Sequence, residues 1–362
     1  MVVRISTDEI EIFKKCVELN EPFSLQEIKM HVAERCNLRC RMCRDWSNHS
    51  GAELSFEEIK DIIDQAKKLG LLVLKIFGGE PTLRKDLPEI VCCCHDKGIA
   101  TKMTTNGTLI NRKLAYDLVK SGLSEIVFSV DSFSSDIHDK LRGVPGSWKK
   151  TDDAINFVTE AKKSCRSNLR ISANTVVTRC NYESLPLLFR YFASKSIKRP
   201  ILIPVIVDPD ETEKSELLLR RNDILTYNHK ILPQLTEIAL EESFDIKEEE
   251  LQMYGTTDEE IESSTKSHYS ARILVNAYCF KPWYDLSIRG NGDVSPCNMI
   301  KEKRYNPIGN VKNENLEQIW FSDRYREFRM MCKRKFEQCK RCCYSRSAIC
   351  YSNLMKRLYG DG

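Results

Sequence analysis

Apolar and polar residues alternate along residues 29–207 in a way that predicts a repeated strand–helix unit. Short apolar runs of strand length are each followed by a segment in which apolar residues recur every three or four positions. The predicted strands are residues 29–33, 72–77, 100–104, 125–130, 170–176 and 201–207. The predicted helices between them are residues 55–69, 85–96, 112–121, 151–164 and 183–194. Because each helix is a crossover between strands that run in the same direction, this order predicts a parallel sheet.

Local signals at the helix ends agree with these bounds. Ser55 and Glu58 form a capping box, in which the hydroxyl and the carboxylate each satisfy a backbone amide at the start of a helix. Glycines lie where predicted helices end, at Gly70, Gly98 and Gly122. A further amphipathic helix is predicted over residues 7–20, with Thr7 as its cap.

Six units, in place of the eight of a closed barrel, predict an α/β fold of the partial (β/α)6 TIM-like kind. Catalytic groups in such folds gather at the C-terminal ends of the strands. Residues 236–272 interrupt the pattern, because they are acidic and poor in large apolar residues, which predicts a helix end and then an exposed connector. Residues 286–296 then predict a β-hairpin that turns at residues 289–293.

Composition narrows the class of protein. The chain has 362 residues, of which 41% are hydrophobic and 30% are charged, as in globular proteins. Its formal net charge is only +4 and its runs of basic residues are short, which argues against a nucleic-acid partner. The N-terminus does not have the pattern of a signal peptide, and the apolar runs are too short to span a bilayer. We therefore expect a cytoplasmic protein without a membrane partner.

Sixteen cysteines are many for a chain of this kind, and the cytoplasmic expectation favours metal over disulfides. Cys36, Cys40 and Cys43 have the spacing C-x3-C-x2-C and follow the first predicted strand. Three thiolates from one loop can hold three corners of a cubane iron–sulfur cluster and leave the fourth iron open. The alternative is a structural zinc site in which His31 or His49 supplies the fourth ligand.

A second candidate site is the run Gly78-Gly79-Glu80-Pro81, directly after the second predicted strand. Two glycines allow a ligand to approach the backbone closely. The carboxylate of Glu80 suits an ammonium group at the strand end. The alternative is an ordinary turn before the next helix.

Together these motifs resemble the radical S-adenosylmethionine (SAM) superfamily. Further matches are Thr105-Asn106-Gly107-Thr108, Ser129-Val130-Asp131, residues 138–148 and Asn174-Thr175-Val176-Val177. The resemblance extends in order over residues 29–207. It implies that Cys36, Cys40 and Cys43 hold a [4Fe-4S] cluster that binds SAM at its open iron. It also implies a 5′-deoxyadenosyl radical that removes a hydrogen atom from a substrate C–H bond.

The resemblance also implies which residues contact SAM. Glu80 would meet the SAM ammonium group, with backbone contacts from Gly78 and Gly79. Met42 stands before the third cysteine, where the family often has an aromatic residue, and would pack near the adenine. The other candidates, each with a structural polar role as the alternative, are Asn106, Ser129, Asp131, Arg142 and Asn174.

A third group of cysteines lies near the C-terminus. Cys279 and Cys297 flank the predicted hairpin, and Cys339-x2-Cys342 follows. These four could converge on one site, for which a zinc ribbon is an alternative. The surrounding pattern resembles the SPASM/twitch extension of radical SAM enzymes, which implies one auxiliary [4Fe-4S] cluster on these four residues. Cys343 is the alternative to Cys342 as a ligand. Two further cysteines are less favoured as ligands, namely Cys332 and Cys350.

The predicted division of the chain is an N-terminal helical segment (1–28), a radical SAM partial barrel (29–235), an acidic helical connector (236–275), a SPASM/twitch domain (276–350) and a tail (351–362). The expected function is a radical SAM oxidoreductase that dehydrogenates a polar small molecule, such as a carbohydrate or aminocyclitol. The auxiliary cluster would accept the substrate electron, and an external donor such as flavodoxin or ferredoxin would reduce the first cluster.

Two other functions stay open. One is a peptide or protein maturase that forms crosslinks, epimers or oxidised side chains. A small-molecule substrate is favoured over a peptide, because only 35 residues precede Cys36, too few for the peptide-binding module that many such maturases carry. The other is a non-catalytic iron–sulfur or zinc protein, which the Gly-Gly-Glu-Pro run beside the triad disfavours.

Overall fold

A computed structural model describes residues 9–43, 53–208, 211–269, 279–299, 305–332 and 337–342, and nine strands in these ranges form one open sheet. The strands are β1 (Glu27–Ala33), β2 (Val73–Gly78), β3 (Ala100–Thr105), β4 (Glu125–Ser129), β5 (Arg170–Val177), β6 (Arg199–Pro204), β7 (Asp285–Ile288), β8 (Asp293–Ser295) and β9 (Gly309–Asn310). Their spatial order is β6-β5-β4-β3-β2-β1-β7-β8-β9. The sheet does not close into a barrel.

The first six strands are all parallel to their neighbours, which confirms the predicted α/β fold and partial barrel. The connecting helices bring each strand back in the same direction, as the periodicity predicted. The C-terminal ends of these strands consequently lie along one rim of the sheet, where the cysteine loop leaves β1 after Ala33.

The predicted C-terminal hairpin is also confirmed, since β7 and β8 pair in an antiparallel way. Its position was not predicted. Strand β7 lies parallel to β1, with Glu27 opposite Asp285 and Met30 opposite Ile288. The hairpin therefore extends the sheet of the partial barrel on the side of β1 away from β2.

The helices of the described ranges pack around this sheet. They are α1 (Ile10–Leu19), α2 (Phe56–Lys68), α3 (Leu87–Asp96), α4 (Arg112–Lys120), α5 (Ser135–Arg142), α6 (Ser147–Ser164), α7 (Leu185–Ser194), α8 (Arg221–Thr226), α9 (Leu232–Glu241), α10 (Glu248–Leu251), α11 (Asp258–Thr265), α12 (Leu316–Trp320) and α13 (Asp323–Cys332). The capping box of Ser55 and Glu58 is present at the start of α2. None of these helices has the length and apolar character that crossing a bilayer requires.

Two regions differ from the sequence interpretation. Helix α5 was not predicted, because Ile137 and Leu141 are its only large apolar residues and give little periodic signal. The acidic segment after α9 was expected to be exposed, yet its few large side chains are buried, among them Leu251, Tyr254 and Ile261. The Tyr227 hydroxyl donates to the Leu251 carbonyl at 2.7 Å and helps to hold this segment in place.

The two faces of the parallel sheet have opposite character. One face is apolar and packs against the helices, with Ile28, Leu74, Met103 and Phe128 all fully buried. Burial of each such side chain contributes about 1.5–3 kcal/mol, so this face supplies much of the stability. The alternation of side chains along a strand places the neighbouring residues on the other face.

That other face carries a row of three lysines at one level of the sheet. Lys29 lies opposite Lys75, and Lys75 lies opposite Lys102. Like charges side by side are unfavourable unless each is neutralised. Each lysine contacts an acid, and the pairs are Lys29–Asp285 at 2.5 Å, Lys75–Glu27 at 2.5 Å and Lys102–Glu125 at 3.1 Å. Asp285 comes from β7, so this charge pairing joins the C-terminal hairpin to the partial barrel.

The ion pair between Lys29 and Asp285 gives a test of this junction. Both side chains are almost fully buried. We expect Lys29→Met to lower the free energy of unfolding by about 3–5 kcal/mol, because it leaves a buried carboxylate poorly compensated. The double variant Lys29→Met/Asp285→Leu should lose much less than the sum of the two single changes. Urea unfolding of the four proteins measures this difference, and additive losses would contradict the pairing.

Candidate active site

The loop after β1 brings the three triad cysteines together. Cys36, Cys40 and Cys43 lie within residues 34–43, where the Cys43 amide donates to the Cys40 carbonyl at 3.1 Å and forms a turn. Burial is the main cause that raises the pKa of the Cys36 thiol to about 11; the hydrogen bond from the Leu38 amide opposes this shift, and Glu80 and the thiols of Cys40 and Cys43 add to it. Thiols with raised pKa values stay protonated until a metal cation displaces the proton.

The loop is held against the C-terminal end of α5. The Arg39 amide donates to the Arg142 carbonyl at 3.1 Å, and the Arg41 amide donates to the Leu141 carbonyl at 2.9 Å. The next residue, Gly143, has a φ of +72°, and a Cβ atom there would lie 2.2 Å from the Arg39 carbonyl oxygen. Glycine at this position therefore allows the helix end and the cysteine loop to touch.

The donor set of the loop fits an iron–sulfur cluster. Three thiols come from one turn, and two of them already accept hydrogen bonds that favour the thiolate form. The Leu38 amide donates to Cys36 Sγ at 3.4 Å, and Arg142 Nη1 donates to Cys40 Sγ at 3.8 Å. In the described ranges, no three acidic, histidine or cysteine side chains are grouped tightly enough for a single metal ion. A cubane holds its thiolates farther apart than a single ion does.

Of the two histidines of the zinc alternative, the structure describes His31. His31 lies in β1, and its Nδ1 atom is 3.5 Å from Arg289 Nη1, which follows β7. His49 lies outside the described residues.

The glycines after β2 make room for the cysteine loop itself. The Gly79 amide donates to the Ala33 carbonyl and the Glu80 amide donates to the Arg35 carbonyl, both at 2.8 Å. A Cβ atom at Gly78 would lie 2.0 Å from the Ala33 oxygen, and one at Gly79 would lie 2.2 Å from the Arg35 oxygen. The sequence interpretation assigned this space to a ligand, whereas the structure fills it with backbone. Contacts of both glycines with SAM stay a prediction.

Glu80 is almost completely buried and links β2 to β3. Its Oε1 atom accepts hydrogen bonds from the hydroxyls of Thr82 and Thr105, both at 2.6 Å, and its Oε2 atom accepts one from the Asn106 amide at 2.8 Å. Burial raises the pKa of this carboxyl, while these hydrogen bonds oppose the shift. Its predicted contact with the SAM ammonium group is not tested by this geometry.

Asn106 extends this network to the cysteine loop. Its side-chain amide donates to the Asn37 side-chain oxygen at 2.9 Å, and Asn37 donates to the Thr108 hydroxyl at 2.8 Å. The Thr108 amide and hydroxyl both donate back to the Asn106 side-chain oxygen. Sequence reasoning missed Asn37, although its place between the first two triad cysteines was a signal of proximity.

Asp131 and Arg142 form a buried ion pair next to the triad. Arg142 Nε lies 2.8 Å from Asp131 Oδ2, and the Asp131 Oδ1 atom accepts from the Val176 amide at 3.0 Å. The same guanidinium donates to Cys40, so Arg142 bridges a carboxylate and a triad thiol. Sequence reasoning missed His138, whose Nδ1 accepts from the Asp131 amide at 3.3 Å and whose pKa is lowered to about 3, chiefly by burial. Contacts of Asp131 and Arg142 with SAM stay predictions.

The remaining predicted SAM residues lie on the same rim. Ser129, the last residue of β4, lies opposite Asn174 within β5, and both are half-buried. Neighbours in register point to the same face of a sheet, so these two polar side chains lie side by side. Met42 packs instead against a small apolar cluster that includes Leu141 and Val205.

A second group of cysteines surrounds the β7–β8 hairpin. Cys297 Sγ accepts from the Met299 amide at 3.4 Å, and the Cys342 amide donates to the Cys339 carbonyl at 3.1 Å, which closes the C-x2-C turn. Cys332, at the end of α13, is buried, and its thiol interacts electrostatically with those of Cys279, Cys297 and Cys339. Sequence reasoning gave Cys332 little weight. Cys343 and Cys350 lie outside the described residues.

Substitution of Gly78 tests whether close backbone packing positions the cysteine loop. We expect Gly78→Ala to lower the free energy of unfolding by about 2–5 kcal/mol, because φ is +146° and the new methyl group would overlap the Ala33 carbonyl. Gly98→Ala is the matched control, since φ is also positive there but no atom lies within 4 Å of the added Cβ. It should cost about 1–2 kcal/mol. Equal losses in chemical unfolding would contradict the packing role.

Comparison with known families matches both cysteine groups. Residues 30–178 match the Radical SAM superfamily, and residues 279–343 match the SPASM iron-sulfur cluster-binding domain. The first range contains the triad and the Gly-Gly-Glu-Pro run. The second contains Cys279, Cys297, Cys332, Cys339 and Cys342.

Named relatives fall into two substrate classes. The chain is 27% identical to an AdoMet-dependent heme synthase of Methanosarcina barkeri, over 81% of each chain. It is 32% identical to an Fe-coproporphyrin III synthase of the same organism, over 47% of this chain and 41% of that protein. It is 31% identical to a PqqA peptide cyclase of Granulibacter bethesdensis, over 43% of this chain and 40% of that protein. The last two matches span less than half the length of those relatives.

Solved structures with a similar fold include peptide complexes. Streptococcus suis SuiB bound to its precursor peptide SuiA is 20% identical, with a TM-score of 0.59 over 94% of this chain and 76% of that chain. The anSMEcpe enzyme with bound AdoMet and the Cp18Cys peptide is 19% identical, with a TM-score of 0.64 over 92% of this chain and 88% of that chain. The predicted preference for a small-molecule substrate over a peptide is therefore wrong. One relative is named as a peptide cyclase, and two solved structures of similar fold contain a bound peptide.

Proposed function

The chain belongs to the radical SAM superfamily and carries a SPASM iron–sulfur domain, and from this premise we propose that it is a peptide maturase. In this proposal the enzyme removes a hydrogen atom from a C–H bond of a peptide and thereby allows a crosslink, an epimerisation or an oxidation. The observation that carries the peptide assignment is the fold likeness to two peptide-bound enzymes over more than nine-tenths of this chain. The similarity to a PqqA peptide cyclase supports it.

When bound, the reduced cluster and SAM supply a 5′-deoxyadenosyl radical, at a cost of one electron for each SAM cleaved. The triad thiolates of Cys36, Cys40 and Cys43 hold that cluster and leave one iron for SAM. The guanidinium of Arg142 donates to Cys40 and keeps a positive charge beside the thiolates. Because Arg142 and Asp131 are both buried, their pairing keeps water away from this side of the loop.

The polar groups on the rim divide into two roles in this proposal. Ser129 and Asn174 are half-buried and adjacent, so they are accessible to SAM. Glu80 and Asn106 are more deeply buried and already bonded within the protein, so they position the cysteine loop as well as any ligand. In this proposal Met42 packs near the adenine of SAM, and Gly78 and Gly79 contact SAM through their backbone.

The open sheet suits an extended substrate. Strand β6 is an edge strand, and in the described ranges no further strand pairs with it on that side. A closed barrel would restrict entry to the two ends. In this proposal a peptide segment reaches the rim that carries the triad from the open side of the sheet.

The proposal includes two redox partners. An external one-electron donor such as flavodoxin or ferredoxin would reduce the triad cluster. The cysteines of the SPASM domain would hold an auxiliary cluster, which would supply an acceptor for the electron that an oxidised peptide releases. Hydrogen abstraction and loss of that electron together account for the two-electron oxidation of the substrate.

Replacement of the three triad cysteines distinguishes the triad cluster from the auxiliary cluster. We expect Cys36→Ala/Cys40→Ala/Cys43→Ala to abolish formation of 5′-deoxyadenosine and methionine from SAM under anaerobic reduction. About four iron atoms per chain should remain on the auxiliary site. Cys92→Ala is the matched control, because this cysteine is exposed on α3, and it should keep full SAM cleavage. SAM cleavage by the triple variant would sink the assignment of the triad.

The substrate class can be tested without knowledge of the sequence of the peptide. Cells of the source organism are grown in deuterated medium, and their extract is divided by size into peptides and small molecules. We expect deuterium to appear in 5′-deoxyadenosine when the enzyme receives the peptide fraction with SAM and a reductant. Digestion of that fraction with a non-specific protease should abolish the label. Mass spectrometry of 5′-deoxyadenosine makes the measurement.

Two outcomes would overturn the peptide assignment. One is label transfer only from the small-molecule fraction. The other is label that survives complete digestion of the peptides. Conversion of an iron porphyrin in the absence of any peptide would instead favour a heme synthase activity, as in the name of the Methanosarcina barkeri relative.

A further inference from the structure

Helix α13 presents one face to the segment that begins at Cys279. Tyr325, Arg329 and Cys332 recur at helical spacing and are all buried. The Tyr325 hydroxyl donates to the Asp285 carbonyl at 2.9 Å, and Arg329 Nε donates to the Pro282 carbonyl at 3.0 Å. This stripe therefore runs along the segment between Cys279 and β7, and Cys332 is the last residue in it.

The Cys332 side chain belongs to the main apolar core, and of the six partly buried cysteines that pack against that core in the described ranges, three were assigned to the auxiliary cluster. These are Cys279, Cys297 and Cys339, the first three ligands assigned to the auxiliary cluster. The thiol of Cys332 interacts electrostatically with each of them. The helical spacing of Tyr325, Arg329 and Cys332 places Cys332 toward the start of this segment, where Cys279 lies.

A buried cation lies one helical turn before Cys332. Arg329 is 1% exposed, and its hydrogen bonds go to the backbone carbonyls of Pro282 and Trp320. In the part of the chain that the structure describes, its guanidinium forms no ion pair with a carboxylate. Glu21, a carboxylate that acts electrostatically on the pKa of Arg329, forms its ion pair with Arg326 at 3.3 Å. A buried charge without a counter-ion is costly, so an anionic group is expected nearby.

We propose that Cys332 is a ligand of the auxiliary iron–sulfur cluster and completes it with Cys279, Cys297 and Cys339. This inference rests on the proposed function, because it assumes that the SPASM domain binds a cluster. Each thiol loses its proton as it binds iron, and the cluster with four thiolates carries net negative charge. Arg329 supplies the compensating positive charge from within the same helix.

The proposal changes the ligand set that the C-x2-C spacing implied. A cubane takes four cysteine ligands, so inclusion of Cys332 leaves Cys342 outside the cluster. The reason lies in rigidity, since Cys332 ends a packed helix whereas Cys342 closes a short turn with Cys339. A ligand on a regular element is held in place before the metal arrives.

The test uses the full chain with the triad replaced by Ala, so that all bound iron belongs to the auxiliary site. Cys332→Ala and Cys342→Ala are introduced separately, and each protein is reconstituted anaerobically with iron and sulfide. Iron, sulfide and the electron paramagnetic resonance spectrum of the reduced protein are measured. Cys94→Ala is the matched control, because Cys94 is also fully buried but lies on α3.

We expect the background, Cys342→Ala and Cys94→Ala proteins to hold about four iron atoms with the same spectrum. Cys332→Ala should hold about three or fewer, with the spectrum of a three-iron cluster or with none. Cys332→Ser distinguishes loss of a ligand from misfolding, because the serine oxygen can still bind iron. We expect it to retain iron with a shifted spectrum and an unchanged far-UV circular dichroism spectrum.

Two results would overturn the inference, and they are distinguishable. Full iron and an unchanged spectrum in both Cys332→Ala and Cys332→Ser, with loss in Cys342→Ala, would return the fourth position to Cys342 and leave the auxiliary cluster intact. Absence of iron from the background protein would remove the auxiliary cluster itself, and with it this part of the proposed function.

Discussion

The close approach of the β2 end to the β1 end is the constraint on which the rest of the site depends. Gly79 and Glu80 donate backbone hydrogen bonds to Ala33 and Arg35, and only glycine leaves space for this contact. The contact sets the direction in which the cysteine loop leaves the sheet. It also carries Glu80 into the core, where its carboxylate holds the end of β3. One backbone contact therefore aligns three strand ends.

The opposite side of the loop is fixed by charge. Asp131 reaches Arg142 from the end of β4, and Arg142 reaches Cys40. A buried guanidinium is tolerated because a carboxylate and a thiol share it. Arg329 stands beside the second cysteine group in a comparable position, on the turn before Cys332. In the part of the chain that the structure describes, each cysteine group has a buried arginine near it, and the partners of those two arginines differ.

Sequence reasoning located most elements and the triad but not the contacts between elements. Strands and helices follow from periods of two and 3.6 residues, which are local properties, and the triad follows from spacing. Helix α5 was missed because its polar composition hides its period. The pairing of β7 with β1 joins residues more than 250 positions apart, which no local pattern encodes. Cys332 was undervalued for the same reason, since spacing along the chain does not report which thiols meet.

The adjacency of β1 and β7 has a consequence for the distance between the two cysteine groups. The first cysteine group follows β1 directly, and the second flanks the hairpin that begins with β7. Because β7 runs parallel to β1, Cys36 follows the end of one strand, whereas Cys279 precedes the start of the other. The paired strands, with a rise of about 3.3 Å per residue, therefore act as a spacer of constant length between the two groups. Any change in that separation would have to break strand pairing, which ties the distance between the two cysteine groups to the integrity of the sheet.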